Sequence, residues 1–460
     1  MAQPSSSVKV LEQCRVAPPP DSVIQTSLPL TFFDLIWLRF PPTQRLFFYD
    51  SPHSKTHFTK SLIPKLKRSL SLTLQHFYPL AGSLTWPPHS EKPMIHYAHG
   101  DSVSLTVAES DNAFYHLSGN HARDINEFHP LLPQLLVSET VAAVLALQVT
   151  VFPNCGFCIG IATRHAVADG RTSTTFMKSW ASICRSGDSA LLPQCPLPVY
   201  DRFLIKDTVG LEKIYLNELV KSNVSDTESN NRSLAVMNPR APPDTFKVKG
   251  TFELSRDDIE RLRKWVLTRR EKDKDKKTPP LHATTFVLTC AYVWVCLVRA
   301  EEIRNKKVSL AFSVDCRSRL DPPIPATYFG NCITARIITA ETCEIMGEDG
   351  VSVAVEAFSE AIRELDIGVL RGMEEFISLT HPTEAEWLMG IAGSTQFGVY
   401  GTDFGWGRPI KVEMPSTDIT GAISLTESKD GSGGVEVGLA LNKLKMEAFA
   451  SLFSYGLKCI

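Results

Sequence analysis

The run VAAVLALQVTVFPNCGFCIGIAT, residues 141–163, most constrains what this chain can fold into. Gln148, Pro153 and Asn154 interrupt its apolar residues, so it reads as two buried strands joined at PNCG rather than as a membrane span. The second strand leads directly into His165-Ala-Val-Ala-Asp169-Gly170. Beyond it, Phe176, Trp180 and Ile183 fall at i, i+4 and i+7, which is one face of a helix. Asp169 stands where that helix needs an N-cap. His165 is therefore held between a strand end and a helix start, where a reacting side chain can be aimed. A neutral imidazole is the usual general base near neutral pH. Asp169, four residues on, either orients that ring or pairs with a distant Arg and braces the turn. Taken alone, HxxxD is a weak signal that more often marks a capped helix with a satisfied core histidine.

A chain of 460 residues exceeds one ordinary domain and suits two. With 43% hydrophobic and 21% charged residues, both domains can bury a core. The net charge of -2 predicts neither a nucleic acid nor a membrane partner, so a polyphosphate ligand must meet local cations. The opening MAQPSSSVKVLEQ has neither the apolar stretch of a signal peptide nor the Arg-rich character of a transit peptide, and a cytoplasmic location is expected. The eleven cysteines are scattered, and Cys290 and Cys296 lie in apolar runs as small buried hydrophobes. Cys155-Gly-Phe-Cys158 has no second pair and no His cluster, so packing is expected there and no metal site.

The start VLEQCRVAPPP reads as a strand entering a Pro-rich turn. A short helix is expected around Phe33 to Leu38, ended by Pro41-Pro42, with a strand through Leu46 to Tyr49. Phe33 and Trp37 suit a core better than a ligand groove. Leu62 to Gln75 has the period of an amphipathic helix, and Pro64 falls in its first turn. The polar SNVSDTESNNRSLAV reads as loop, and the sequons at Asn223 and Asn231 are discounted without a secretory signal. The expected division is an N-terminal domain over 1–200, a crossover over 201–240 and a second domain over 241–460. In the second, FKVKGTFELSRDDIERLRKWVL predicts a strand and a helix, with Ser255 and Asp258 close to a capping box. TTFVLTCAYVWVCLVRA predicts a buried helix, and VSLAFSVDCRSRL a strand whose Arg317 and Arg319 want carboxylate partners. A helix around Val353 to Asp366, strands at ISLTES and VEVGLAL and a last helix from Leu444 to Tyr455 complete a mixed α/β chain without internal repeats.

Near the C-terminus, Asp403-Phe-Gly-Trp-Gly407 sets two glycines around a Trp, which implies a sharply bent backbone. HxxxD and DFGWG, together with LPLTFFD, HFYPLAG and DCRSR in this order, resemble the plant BAHD acyltransferases over essentially the whole chain. The resemblance implies an α/β fold of two chloramphenicol-acetyltransferase-like domains, their mixed sheets flanked by helices, with a channel between them. It also implies acyl transfer from a coenzyme A thioester as co-substrate, with no bound cofactor. Tyr328-Phe-Gly-Asn-Cys332 is similar to the signature of the subgroup that acylates flavonoid, anthocyanin and other phenolic glucosides, usually from malonyl-CoA. Close relatives of that subgroup use hydroxycinnamoyl donors instead.

A sugar hydroxyl is a weak nucleophile, so a base must take its proton as it attacks the thioester, and His165 is the expected base. The thiolate leaves readily, so neither a covalent intermediate nor a metal is needed, and alignment of donor and acceptor supplies much of the acceleration. Asp169 is expected to turn away and pair with Arg317, holding the histidine loop. Asp403, Gly405, Trp406 and Gly407 are expected to shape the cleft wall. The resemblance implies that Thr285 contacts coenzyme A, with Ser255, Gly393 and Ser394 as further candidates. A malonyl carboxylate needs a cation, ideally the fork of an Arg, and Arg171 and Arg408 are the candidates. The expected partners are an acyl-CoA and a phenolic glycoside, and the chain is expected to be a monomer. One rival is a condensation-type domain with an HHxxxDG loop, but Arg164 replaces its first His. The other is a non-catalytic interaction protein on the same fold.

Overall fold

The apolar run forms the two expected strands, Leu145–Phe152 and Gly156–Thr163, every residue of which is buried. They pair antiparallel across a turn in which Asn154 takes φ +62, a left-handed conformation that Asn tolerates. The computed structural model describes residues 8–187, 197–221, 232–236, 246–272, 279–304, 306–375 and 387–460. These two strands lie inside a six-stranded sheet ordered Val8–Val16, Val103–Ser110, Leu145–Phe152, Gly156–Thr163, Thr43–Asp50 and Lys411–Glu413. Against it pack the helices Ile63–His76 and Gly170–Ser186, whose apolar faces (Leu66, Leu70 and Leu74; Phe176, Trp180 and Ile183) are buried. A smaller four-stranded sheet contains Thr26–Pro29, Met94–Tyr97, Ser83–Thr85 and Val141–Ala143.

A second core surrounds the helix Thr285–Glu301, whose buried residues run all round it from Val287 to Val298. It is covered by the helices Gly350–Ile367 and Lys443–Cys459 and by a seven-stranded sheet. That sheet is ordered Ile333–Glu341, Lys307–Asp315, Trp387–Gly393, Ile423–Glu427, Val435–Asn442, Lys247–Leu254 and Arg123–Asp124. Parallel and antiparallel pairs occur in both large sheets, so the mixed α/β class expected from the sequence is the one observed.

Each large sheet ends on a strand from the other half of the chain. Lys411–Glu413 pairs with Thr43–Asp50, and Arg123–Asp124 pairs with Lys247–Leu254. Where the strands cross over, charges are buried and balanced. Arg123 Nη2 lies 2.9 Å from Glu413 Oε1, Lys249 Nζ 2.6 Å from Asp418 Oδ1 and Lys411 Nζ 3.0 Å from Glu436 Oε2. Burial alone would raise the Glu413 pKa, but Arg123, Lys411 and Lys249 outweigh it and hold the carboxyl below its ordinary value. The two halves are thus joined by backbone pairing and by charges that would be costly to separate in a low dielectric.

The crossover carries structure of its own, the helix Leu211–Lys221, with Leu211, Tyr215 and Leu219 buried. Tyr215 Oη donates to the Met373 carbonyl at 2.6 Å, and Arg39 Nη1 to the Leu219 carbonyl at 2.8 Å. The sequons at Asn223 and Asn231 lie outside the described residues. No helix among the described residues is long and apolar enough to cross a membrane.

Candidate active site

The strand Gly156–Thr163 and the helix Gly170–Ser186 present His165 between them. Asp169 is the N-cap of that helix, its Oδ1 accepting from Thr172 N at 2.8 Å, as its position in the sequence suggests. In the run from Ile161 to Asp169, His165 is the only residue that keeps appreciable exposed surface. Its ring is stacked on Trp37 with centroids 4.0 Å apart and planes 15° apart, and the edge of Phe40 meets it at 5.8 Å. Flanked by these rings, the imidazole loses most of its hydration, and burial lowers its pKa to about 4. Its own carbonyl, Asp169, Asn331 and Asp34 act in the opposite direction but do not overcome burial.

The imidazole is therefore neutral at physiological pH and can accept a proton. A sign follows for both activity and stability. The kcat/KM of the free enzyme is expected to hold from neutrality downward and to fall only as pH approaches about 4. Between the ordinary value near 6.5 and about 4, the unfolded chain binds a proton that the folded chain does not. This residue's contribution to folding stability therefore decreases as pH drops through that window. A pH profile of thioester turnover checks the first statement, and an acid limb centred near 6.5 would contradict it.

Asp169 Oδ2 lies 2.8 Å from Arg317 Nη2, and both side chains are at most 3% exposed. Burial lowers the Arg317 pKa, but Asp169 and Asp315 outweigh that effect and push it up. The Arg317 guanidinium also donates to the carbonyls of Tyr328 and Gly330 at 3.2 and 3.1 Å. One oxygen of Asp169 thus caps the helix while the other faces Arg317 and the Cys332 N–H, so the carboxylate braces the loop. Asp315 links Arg317 Nη1 at 3.1 Å to Arg171 Nε at 2.7 Å. Arg171 accordingly sits at the loop but with one edge already engaged, whereas Arg408 is exposed.

The DFGWG turn docks elsewhere on the same helix. Asp403 Oδ1 accepts from the N–H groups of Gly405 and Gly407 at 2.8 and 3.1 Å, closing a turn in which both glycines have φ near +100. Phe404 is fully buried against Trp180 and Tyr49, and Trp406 packs on Phe157 beneath Lys65. Trp180 lies ten residues along from Gly170, about 15 Å down the helix at 1.5 Å per residue. The turn therefore secures the far end of the helix whose first turn carries Asp169.

Thr285 is half-buried at the start of its helix, where the neighbouring Thr284 takes the N-cap and accepts from Val287 N at 3.3 Å. The next ring, Phe286, packs on Phe312, which lies in register with Ile391, two residues before Gly393. Thr285, Gly393 and Ser394 are thereby brought to the same end of the second sheet. Gly393 has φ +83, and a Cβ there would meet the Leu425 carbonyl oxygen at 2.3 Å, so only glycine fits. The Ser255 hydroxyl is exposed and engaged in a complete capping box with Asp258, donating to Oδ2 at 2.6 Å and accepting from Asp258 N at 3.1 Å. A cavity of about 10 Å³, lined by Arg45, Thr251, Lys411, Glu413, Ser424 and Glu436 among others, has room for one water and does not include His165.

Sequence reasoning passed over three residues at the histidine. Trp37 is buried in the core as expected, and from there it also stacks on the imidazole, a role the sequence did not indicate. Asp34 and Asn331 are completely buried beside the loop. The available signal was a carboxylate inside the apolar run TFFDLIW, since a buried acid must find donors.

Residues 6–455 match the Transferase family. Phenolic glucoside malonyltransferase 1 of Arabidopsis thaliana is 42% identical to this chain, over 98% of each. Agmatine coumaroyltransferase of the same plant is 39% identical, over 97% of this chain and 98% of its own. Among solved structures, vinorine synthase superposes with a TM-score of 0.70 at 20% identity, covering 98% of both chains, which is a likeness of fold. A match that runs from the first strand to the last helix, on a backbone that delivers HxxxD and DFGWG to one helix, leaves a single reading of its lineage: this chain belongs to the BAHD acyltransferases.

Proposed function

We propose that this protein transfers a malonyl group from malonyl-CoA to a sugar hydroxyl of a flavonoid or other phenolic glucoside, with His165 as general base. Support for the substrate class comes from the full-length likeness to a phenolic glucoside malonyltransferase. The observation that carries the chemistry is the neutral, part-exposed imidazole of His165. In the proposed reaction the acceptor O–H gives its proton to Nε2 while its oxygen attacks the thioester carbonyl. The C–O bond forms, the C–S bond breaks, and the departing coenzyme A thiolate takes the proton from the imidazolium. The indole face of Trp37 attracts the ring while it is charged, which offsets part of the desolvation that keeps it neutral at rest. Thr285, Gly393 and Ser394, with Ser255 near the same sheet, are our candidates for coenzyme A contacts. For the donor carboxylate, Arg171 offers only its Nη edge because Asp315 holds Nε, and Arg408 is the alternative. We assign the two domains to 1–200 and 241–460 around the crossover, and we place the reaction in the cytoplasm, carried out by a monomer on small molecules without a resident cofactor.

A second reading keeps the fold and changes the donor to a hydroxycinnamoyl-CoA, which the likeness to agmatine coumaroyltransferase favours. The test is a competition in which malonyl-CoA and coumaroyl-CoA are offered together with a panel of flavonoid glucosides and their aglycones, and products are weighed by mass spectrometry. Malonyl gain on the glucosides alone is the expected result. Coumaroyl gain would transfer the assignment to the second reading, and no acylation by folded protein would leave an interaction protein on this fold.

A further inference from the structure

The cavity between the two large sheets is lined by four charged side chains, and three of them are matched. Lys411 faces Glu436 at 3.0 Å, and Glu413 faces Arg123 at 2.9 Å. The fourth, Arg45, is 8% exposed and makes no ion pair among the described residues. Glu427 is the carboxylate whose charge reaches it, but without a bond, and Glu427 Oε1 accepts from the Tyr400 N–H at 2.9 Å. Burial lowers the Arg45 pKa to about 10, so the guanidinium still carries its charge at neutral pH. A buried cation without a counter-ion is costly, and an anionic ligand offsets that cost.

The guanidinium is fixed on two sides. Nη1 donates to Thr174 Oγ1 at 2.6 Å, and that hydroxyl donates to the Gly170 carbonyl at 2.6 Å. One face lies over the ring of Phe397, 5.6 Å from its centroid, and Lys178 Nζ donates to the Phe397 carbonyl at 2.5 Å. Gly170, Thr174 and Lys178 are i, i+4 and i+8 of the helix that Asp169 caps, so a single helix face builds this seat. A Cβ at Gly170 would meet the Phe397 ring at 2.6 Å and stand 3.5 Å from Arg45 Nη2, so glycine leaves this corner open. The remaining donors are Nε and Nη2, which share the edge of a guanidinium that grips a carboxylate with two parallel bonds. Neither makes a hydrogen bond among the described residues. Arg171 has lost that edge, because Asp315 holds its Nε.

Arg45 also lies near the chemistry. Its strand pairs with Gly156–Thr163, where it stands opposite Ile161, four residues before His165, and its Nη2 sits beside Gly170, next to Asp169. We propose that Arg45 receives the terminal carboxylate of the acyl donor through Nε and Nη2 and thereby selects a short diacid thioester. The inference rests on the reading of this protein as a malonyltransferase. The cavity has room for one water, so it can take a carboxylate oxygen but not an aromatic ring. A site built to bond such a group discriminates against a donor that lacks it, because its own buried donors are then left unpaired.

The test compares malonyl-CoA with acetoacetyl-CoA, a donor of the same length in which a methyl group replaces one carboxylate oxygen. Both are offered to the full-length protein with one flavonoid glucoside, and the ratio of their kcat/KM values is measured. That ratio does not depend on the fraction of active enzyme, so a merely structural role would leave it in place. Wild type is expected to favour malonyl-CoA, and Arg45→Met to lower the ratio by roughly 10- to 100-fold through the malonyl reaction alone. Arg45→Lys keeps the charge without the fork and is expected to fall between the two. Thr174→Val keeps the volume but removes the acceptor of Nη1, so it is expected to lower the ratio too, and it serves as the test if Arg45→Met does not fold. An unchanged ratio in folded Arg45→Met or Thr174→Val would overturn the proposal. So would a ratio that collapses in Arg171→Met instead, which would give the carboxylate to Arg171 and leave the malonyl reading intact. A wild-type protein without preference for malonyl-CoA would sink the malonyl reading itself, and this proposal with it.

Discussion

Replacing His165 with alanine is expected to lower kcat by roughly 10²- to 10⁴-fold, the range a positioned general base contributes, and to leave the protein folded. No other group at the loop can take over the proton. Asp169 is 1% exposed and divides its oxygens between the helix cap and Arg317. Asp34 is fully buried and accepts four hydrogen bonds, from Thr31 and Asn331. The residual rate should come from alignment of donor and acceptor alone, which the variant retains. Free-thiol release at saturating acyl-CoA and glucoside measures the loss, and circular dichroism confirms the fold. Urea unfolding of the same variant separates the loss of rate from the stability lost when the ring that packs on Trp37 and Phe40 is removed. A folded His165→Ala protein with more than about a tenth of the wild-type rate would falsify the general-base role.

The second large effect is on stability. Arg317→Met is expected to destabilise the fold by about 3–5 kcal/mol, because it leaves the Asp169 carboxylate buried without its cation. The partners come from different halves of the chain, and Arg317 also satisfies the carbonyls of Tyr328 and Gly330. Urea unfolding measures the change. Asp169→Asn supplies the control, since Asn is also a good N-cap and preserves the bond to Thr172 N while removing the charge. In that background the same Arg317→Met change should cost less, and the difference is the coupling energy of the pair. Equal costs in both backgrounds would show that Arg317 acts through its carbonyl contacts alone. The double variant also tests whether the loop keeps His165 in place once the ion pair is gone, through its remaining turnover.

Much of the scaffold was legible because short-range rules decide it. The strands Leu145–Phe152 and Gly156–Thr163, the helix capped by Asp169, the capping box of Ser255 and Asp258 and the buried helix Thr285–Glu301 each follow from local period and end chemistry. The same local logic located His165, because a strand end followed by a cap specifies where the side chain between them is held. The pairing of Asp169 with Arg317 was legible in kind, since an Arg at the end of an apolar strand needs a carboxylate.

What only the tertiary structure decided involves residues brought together across long chain separations. The strands Lys411–Glu413 and Arg123–Asp124 are three and two residues long, too short to carry a period, and only their partners in the opposite half make them strands. Arg171 looked free for a donor carboxylate until the fold placed Asp315 2.7 Å from its Nε. Trp37, Asp34 and Asn331 lie more than a hundred residues from His165 in either direction, and no spacing rule connects them. They converge because a buried carboxylate and a buried amide must each find partners, and those partners exist only once the two halves have packed.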